Sequence, residues 1–263
     1  MKSNSISGPM ILIGSAVVLL LVLLFGFSNV SKQSKKLSDK RSQKVDLVSP
    51  GTLLRAAKQN LSPELLDAVE TFEMQLEKTS DEEKQIELMQ ELASRWYRLS
   101  EPAISGYYAE QIAERMESDA MAWSIAGTTY TLCLQQEEDG KTKQFCAKRA
   151  REAFENAISL EPEEVSHRVN LAVAIVEFPD QENPMQGILM LRELADQYPE
   201  SPTVLFNLGR FAIQTGQYDK AIERLSSALE IEPGSKAIAC LLGQAHQRAG
   251  NDEQAELFIK ECN

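Results

Sequence analysis

The stretch NLGRFAIQTGQYDKAIERLSSALEIEP, residues 207–233, contains two runs of small and apolar residues joined at Gly216. Its small residues stand at set distances. Gly209 follows Leu208, Ala221 comes twelve residues later, Ala228 seven after that, and Pro233 five further on. Small side chains let two antiparallel helices approach closely, and a proline opens the turn that follows because it lacks an N–H and fixes φ. The spacing recurs on both sides. Downstream, Leu242-Gly243 and Ala255 repeat the twelve-residue step. Upstream, NLAVAI and GILMLRELADQYP supply Leu171, Ala172, Gly187, Leu191 and Pro199. Further back, WSIAGTTY and AREAFENAISLEP supply Trp123, Gly127, Tyr130, Ala150, Phe154, Ala157 and Pro162. A degenerate copy, LMQELASRW, places Leu92, Ala93 and Trp96 in the same register. The markers 93, 127, 172, 209 and 243 lie 34, 45, 37 and 34 residues apart, so the excess falls in the turns that contain QQEEDGKTKQF and PDQENP. A period near 34 residues describes a stack of helical hairpins, because one hairpin alone cannot bury its apolar face.

The set running from Trp123 to Pro162 resembles the tetratricopeptide (TPR) repeat, and the likeness covers residues 81–263. It implies an all-α solenoid of about four recognisable repeats and one degenerate first repeat. In that first copy Ser105 and Ala109 face Ile112, and no proline closes it. The periodicity supports the same class independently: no strand alternation occurs, and apolar residues recur every three or four positions. Helices are expected near 49–60, 63–79, 81–99, 103–116, 119–136, 144–160, 163–177, 184–197, 202–215, 218–231, 235–249 and 252–262. Residues 47–80 form a helical region expected to dock on the outer side of the first hairpin.

The N-terminal part reads differently. After a short tail, 1–7, the run GPMILIGSAVVLLLVLLFGF at 8–27 has no charged residue. As a helix it measures roughly 30 Å, the thickness of a bilayer core, and predicts a single transmembrane anchor. It exceeds the usual apolar core of a cleaved signal peptide and no A-x-A site follows. Residues 28–46 form a basic, solvated linker suited to anionic lipid head groups. Residues 1–45 carry seven Lys/Arg and one Asp, a net of +6, so a total of −12 leaves −18 for the rest. An acidic body argues against nucleic acid, which needs a basic surface. Only Lys2 precedes the run, whereas Lys32, Lys35, Lys36, Lys40, Arg41 and Lys44 follow it. The positive-inside rule therefore expects a cytoplasmic body in a plasma (inner) membrane protein, with an extracytoplasmic body as the alternative. Cys133, Cys146, Cys240 and Cys262 form no CxxC, and no spacing demands a disulfide framework; Cys133 and Cys146 flank a turn and could bridge in an oxidising space. The layout resembles bacterial TPR proteins with one N-terminal anchor.

The resemblance implies a groove lined by the first helix of each hairpin, one that takes an extended peptide or a partner helix. By register the face includes Tyr97 and Thr128 in the first two hairpins and Asn170 and Val173 in the third. Phe206, Asn207, Arg210 and Gln214 follow in the fourth, and Gln244 and Arg248 in the last. Asn170 and Asn207 hold equivalent slots, where an amide can both donate to and accept from a peptide backbone. A clamp for carboxylate tails would need lysines where Ser124 and Thr203 stand. Leu257 and Phe258 on the final helix suggest a terminal interface, including self-association. No catalytic, cofactor or metal signature emerges. His167 and His246 sit in different repeats, the acidic cluster SDEEKQIE suits a helix start, and Gly140-Lys141-Thr142 lacks the strand and glycine of a phosphate loop. The expected function is thus a membrane-anchored scaffold for protein partners in an assembly or translocation complex. The alternative is an accessory or regulatory subunit of an enzyme complex, or, ranked below that, an enzyme itself.

Overall fold

A computed structural model of the chain describes residues 48–260 and Cys262. The apolar run at 8–27 and the basic linker at 28–46 lie outside the described residues. Among those described, no helix is long and apolar enough to cross a membrane. The body, Val48–Asn263, contains twelve helices among its described residues and no strand. They are α1 (Pro50–Gln59), α2 (Pro63–Lys78), α3 (Glu82–Arg98), α4 (Pro102–Arg115), α5 (Ala120–Gln136) and α6 (Gly140–Leu160). Then come α7 (Val165–Glu177), α8 (Gln186–Gln197), α9 (Pro202–Gln214), α10 (Tyr218–Ile231), α11 (Lys236–Ala249) and α12 (Asp252–Ile259).

Local chemistry marks the helix starts. Asp81, Asp119 and Asp139 each accept a hydrogen bond from a backbone N–H of the first turn, at 3.1, 3.0 and 2.8 Å, meeting donors that have no partner inside the helix. Proline stands at the start of α1, α2, α4 and α9, where its missing N–H is not needed. Gly216 and Gly250 end α9 and α11 with φ of 73° and 80°, a left-handed turn that glycine makes without strain. Two boundaries differ from the sequence reading. Helix α6 begins at Gly140 rather than near 144, because Asp139 caps Thr142 through both its N–H and its hydroxyl. Helix α12 ends at Ile259 rather than near 262.

Helices α3 to α12 pair as five consecutive hairpins, and each hairpin packs on the next. The first helices α5, α7, α9 and α11 also pack side by side, while the second helices form the other layer. Close approaches fall at several of the repeat residues, and also at Gly106 of α4, where a Cβ would lie 2.7 Å from the Tyr130 ring. A Cβ placed on Gly127 would lie 2.7 Å from the Phe154 ring, and one on Gly209 would lie 2.6 Å from Leu225. One on Gly187 would lie 2.6 Å from the backbone oxygen of Ala172. The degenerate first hairpin has a serine at the position matching Gly187: Ser105 donates to the carbonyl of Ala93 at 2.9 Å. A small residue with a hydroxyl therefore keeps the approach and turns it into a hydrogen bond. Trp96, Tyr130, Phe154, Leu191 and Leu225 fill the layers between and are fully buried.

Helices α1 and α2 dock on the first hairpin, α1 against α4 and α2 against α3. Polar groups join in: Glu73 on α2 receives Lys58 of α1 and, at 3.2 Å, the hydroxyl of Tyr108 on α4. All four cysteines are paired, Cys133 with Cys146 and Cys240 with Cys262. Spacing alone did not require this; antiparallel helix ends bring each pair together.

Candidate functional site

The residues expected to line a groove sit on the first helices, but their surroundings differ. Tyr97 projects from the last turn of α3 with 55% of its surface exposed. Thr128 is exposed on α5, and its hydroxyl donates to the Ser124 carbonyl one turn back at 2.8 Å. Helix α5 adds two residues that the register reading missed. Met121 and Ile125 are 61% and 54% exposed, and at helical spacing they continue the Thr128 side of the helix. The signal was present as large apolar residues at i−7 and i−3, but a buried assignment fits an all-apolar helix equally well.

In the middle of the stack the same face is partly consumed by packing. Val173 packs with Val169, Leu208 and Phe211, and Phe206 packs against the core formed by Leu225 and Ile238. Asn170 is half-buried on α7. Asn207 spends one amide hydrogen on the Thr203 carbonyl at 2.9 Å, within its own helix. Arg210 reaches Glu177 of α7 at 3.3 Å, and Gln135 of α5 donates to the same Glu177 oxygen at 3.0 Å. A polar line thus runs across three first helices, Gln135–Glu177–Arg210, with the Arg210 guanidinium 4.4 Å from the Phe211 ring centre. Sequence reasoning included Arg210 but not Gln135 or Glu177, since partners 33 and 42 residues away leave no local signature. Gln214, Gln244 and Arg248 are exposed towards the C-terminal end.

The two apolar residues of the terminal helix differ in exposure. Leu257 is 56% exposed, but Phe258 is only half-exposed and stacks on the His246 ring, with centroids 5.7 Å apart. The close approach at Gly243 draws α12 inward: a Cβ there would lie 3.2 Å from the Phe258 Cβ.

Titratable groups inside the stack are tied into structure. Glu110 on α4 is buried, accepts from the Tyr130 hydroxyl at 2.7 Å and meets Arg149 of α6 at 3.0 Å. Burial pushes its carboxyl above the ordinary value, while Tyr130 and Arg149 oppose the shift. The Tyr130 hydroxyl is pushed far up by burial and by the neighbouring Glu110. His167 is buried in α7, with Nε2 3.4 Å from Glu161. Among the described residues no three His, Cys, Asp or Glu side chains gather as a metal site. Two solvent-open hollows lie along the turns between hairpins. One, of about 290 Å³, is lined by Glu114, Glu117, Trp123, Asn156, Ser159 and Leu160. The other, of about 560 Å³, has Glu117, Asp119 and Glu161 on its walls.

The tetratricopeptide repeat family model matches residues 180–228 and 216–261, which hold helices α8 to α12. No curated protein matches the chain. Among solved structures, the crystal structure of MamA protein is 15% identical, covering 67% of this chain and 89% of that one, with a TM-score of 0.39. The structure of MamA from residue 41 to its end, from Desulfovibrio magneticus RS-1, is also 15% identical, covers 67% and 92%, and has a TM-score of 0.41. YrrB, described as a TPR protein with an unusual peptide-binding site, is 19% identical over 74% of this chain and 91% of its own, with a TM-score of 0.38.

Proposed function

We propose that this protein is a membrane-anchored scaffold that binds a protein partner or an extended peptide along the face made by its first helices. The observation that carries the reading is the adjacency of α5, α7, α9 and α11, which lays one side of each helix into a continuous surface. Part of that surface is exposed apolar, at Met121 and Ile125, and part is polar, at Thr128, Asn170, Asn207, Gln214, Gln244 and Arg248, while α3 of the preceding hairpin adds the exposed Tyr97. This mixture suits a chain with alternating side chains: apolar anchors supply affinity and amides pair with its backbone. The apolar run at 8–27 would hold the body at a membrane, where the basic linker meets anionic head groups. Such a placement fits a role in assembling a membrane complex, with Leu257 offering a second contact for a partner or another copy.

Photo-crosslinking in cells tests the reading. A crosslinker placed at Ile125 or Gln244 should join the full chain to a discrete protein, and one at Arg192, exposed on the second-helix layer, should not. Equal adducts from all three positions would overturn the assignment of the face.

A further inference from the structure

We propose that the helical body works on the oxidising side of its membrane, with Cys133–Cys146 and Cys240–Cys262 as structural disulfides. The chain has four cysteines, and none is left unpaired. The two pairs have Cα separations of 6.2 and 5.2 Å, within the range a disulfide spans. Cys133 is in the last turn of α5 and Cys146 in the second turn of α6, so the bond ties the two helices together beside the short turn at 137–139, the inserted residues having extended α6. Both side chains are fully buried, beside Tyr130 and Phe145. Cys240 and Cys262 bind the segment after α12 back onto α11. Helix α12 has only eight residues.

Forming each bond removes two protons and two electrons from a thiol pair. The electrons pass to a disulfide of an oxidant protein, whose own S–S bond becomes two thiols. Such oxidants act outside the cytosol, where thiols are otherwise kept reduced. The basic residues after 8–27 point the other way, towards a cytoplasmic body. That bias sets orientation statistically, and large domains translocate largely regardless of flanking charge. The cysteine pairs are a property of the folded body itself and carry the greater weight.

The test uses the full chain produced in bacterial cells, quenched in acid and alkylated after denaturation, before and after reduction. The expected result is no alkylated thiol before reduction and four after it. An unreduced tryptic map should show residues 116–141 joined to 144–148, and 237–248 joined to 261–263. Protease added to spheroplasts should digest the body. Free thiols at Cys133 and Cys146, or a body protected in intact spheroplasts, would overturn the proposal. Free thiols at Cys240 and Cys262 alone would overturn the terminal tether. Neither result bears on the crosslinking pattern, so the scaffold reading fails or stands separately.

Discussion

The hairpins α5/α6 and α9/α10 share one spacing of small residues and are held by different chemistry. In α9/α10 the contact layer is aliphatic: Gly209 meets Leu225, and Ala212, Ala221 and Ala228 complete it. In α5/α6 the helices run to 17 and 21 residues, Gly127 meets the flat ring of Phe154, and a disulfide closes the far end. The layer also buries polar groups, since Tyr130 reaches Glu110 on the preceding helix and Glu110 reaches Arg149. A repeat motif therefore prescribes how closely helices approach, and leaves open what fills the space once they do. The family model matches the aliphatic region and stops short of the aromatic one, which carries the insertion.

The largest separation between the two hairpins should come from overpacking. Gly127→Leu should cost about 1–3 kcal/mol in urea unfolding of the full chain in detergent. Gly209→Leu should cost less, because the aliphatic Leu225 side chain has other staggered rotamers to adopt whereas the Phe154 ring is rigid. Equal costs would mean that ring and aliphatic layers are equally compliant. Gly187→Ala extends the comparison to a hairpin whose obstacle is backbone: its Cβ would meet the Ala172 oxygen, which cannot rotate away. A loss of about 1–2 kcal/mol is expected there, and little from Gly243→Ala, whose nearest contact is 3.0 Å.

The buried polar layer gives the next effect. Tyr130→Phe removes the hydroxyl that Glu110 accepts from and should destabilise by about 1–2 kcal/mol, with no counterpart in α9/α10. Glu110 itself should show in the pH dependence. Its folded carboxyl titrates above the ordinary value, so the folded state favours the protonated form. The stability this contributes is fully present below the unfolded pKa and is lost as pH rises through the folded one. Wild type should therefore lose stability relative to Glu110→Gln as pH climbs from about 4 towards neutrality. A relative gain would show that the Arg149 charge outweighs desolvation. The smallest change is expected at the half-buried pair of Arg210 and Glu177, where Arg210→Ala should shift stability by no more than about 1 kcal/mol. The same substitution removes a charge from the proposed binding face, so partner crosslinking from Gln244 should weaken more than stability does.

The sequence alone determined the helical class, the five hairpins and the close approaches at Gly127, Gly209 and Gly243. Each follows from local or periodic information, Gly and Ala at fixed spacing above all. The twelve helices appear where the periodicity put them, apart from the start of α6 and the end of α12. Tertiary structure alone decided which groups meet across the stack. Glu110 with Arg149, Gln135 with Glu177, and Glu73 with Lys58 and Tyr108 are separated by 15 to 42 residues, and charged residues at such distances look alike in sequence whether paired or solvated. The cysteine pairs were equally hidden, because spacing does not show which helix ends will face each other. Exposure behaved the same way. Met121 and Phe258 are both large apolar side chains, yet the first faces solvent and the second stacks on His246, a difference set by which neighbour each helix face meets.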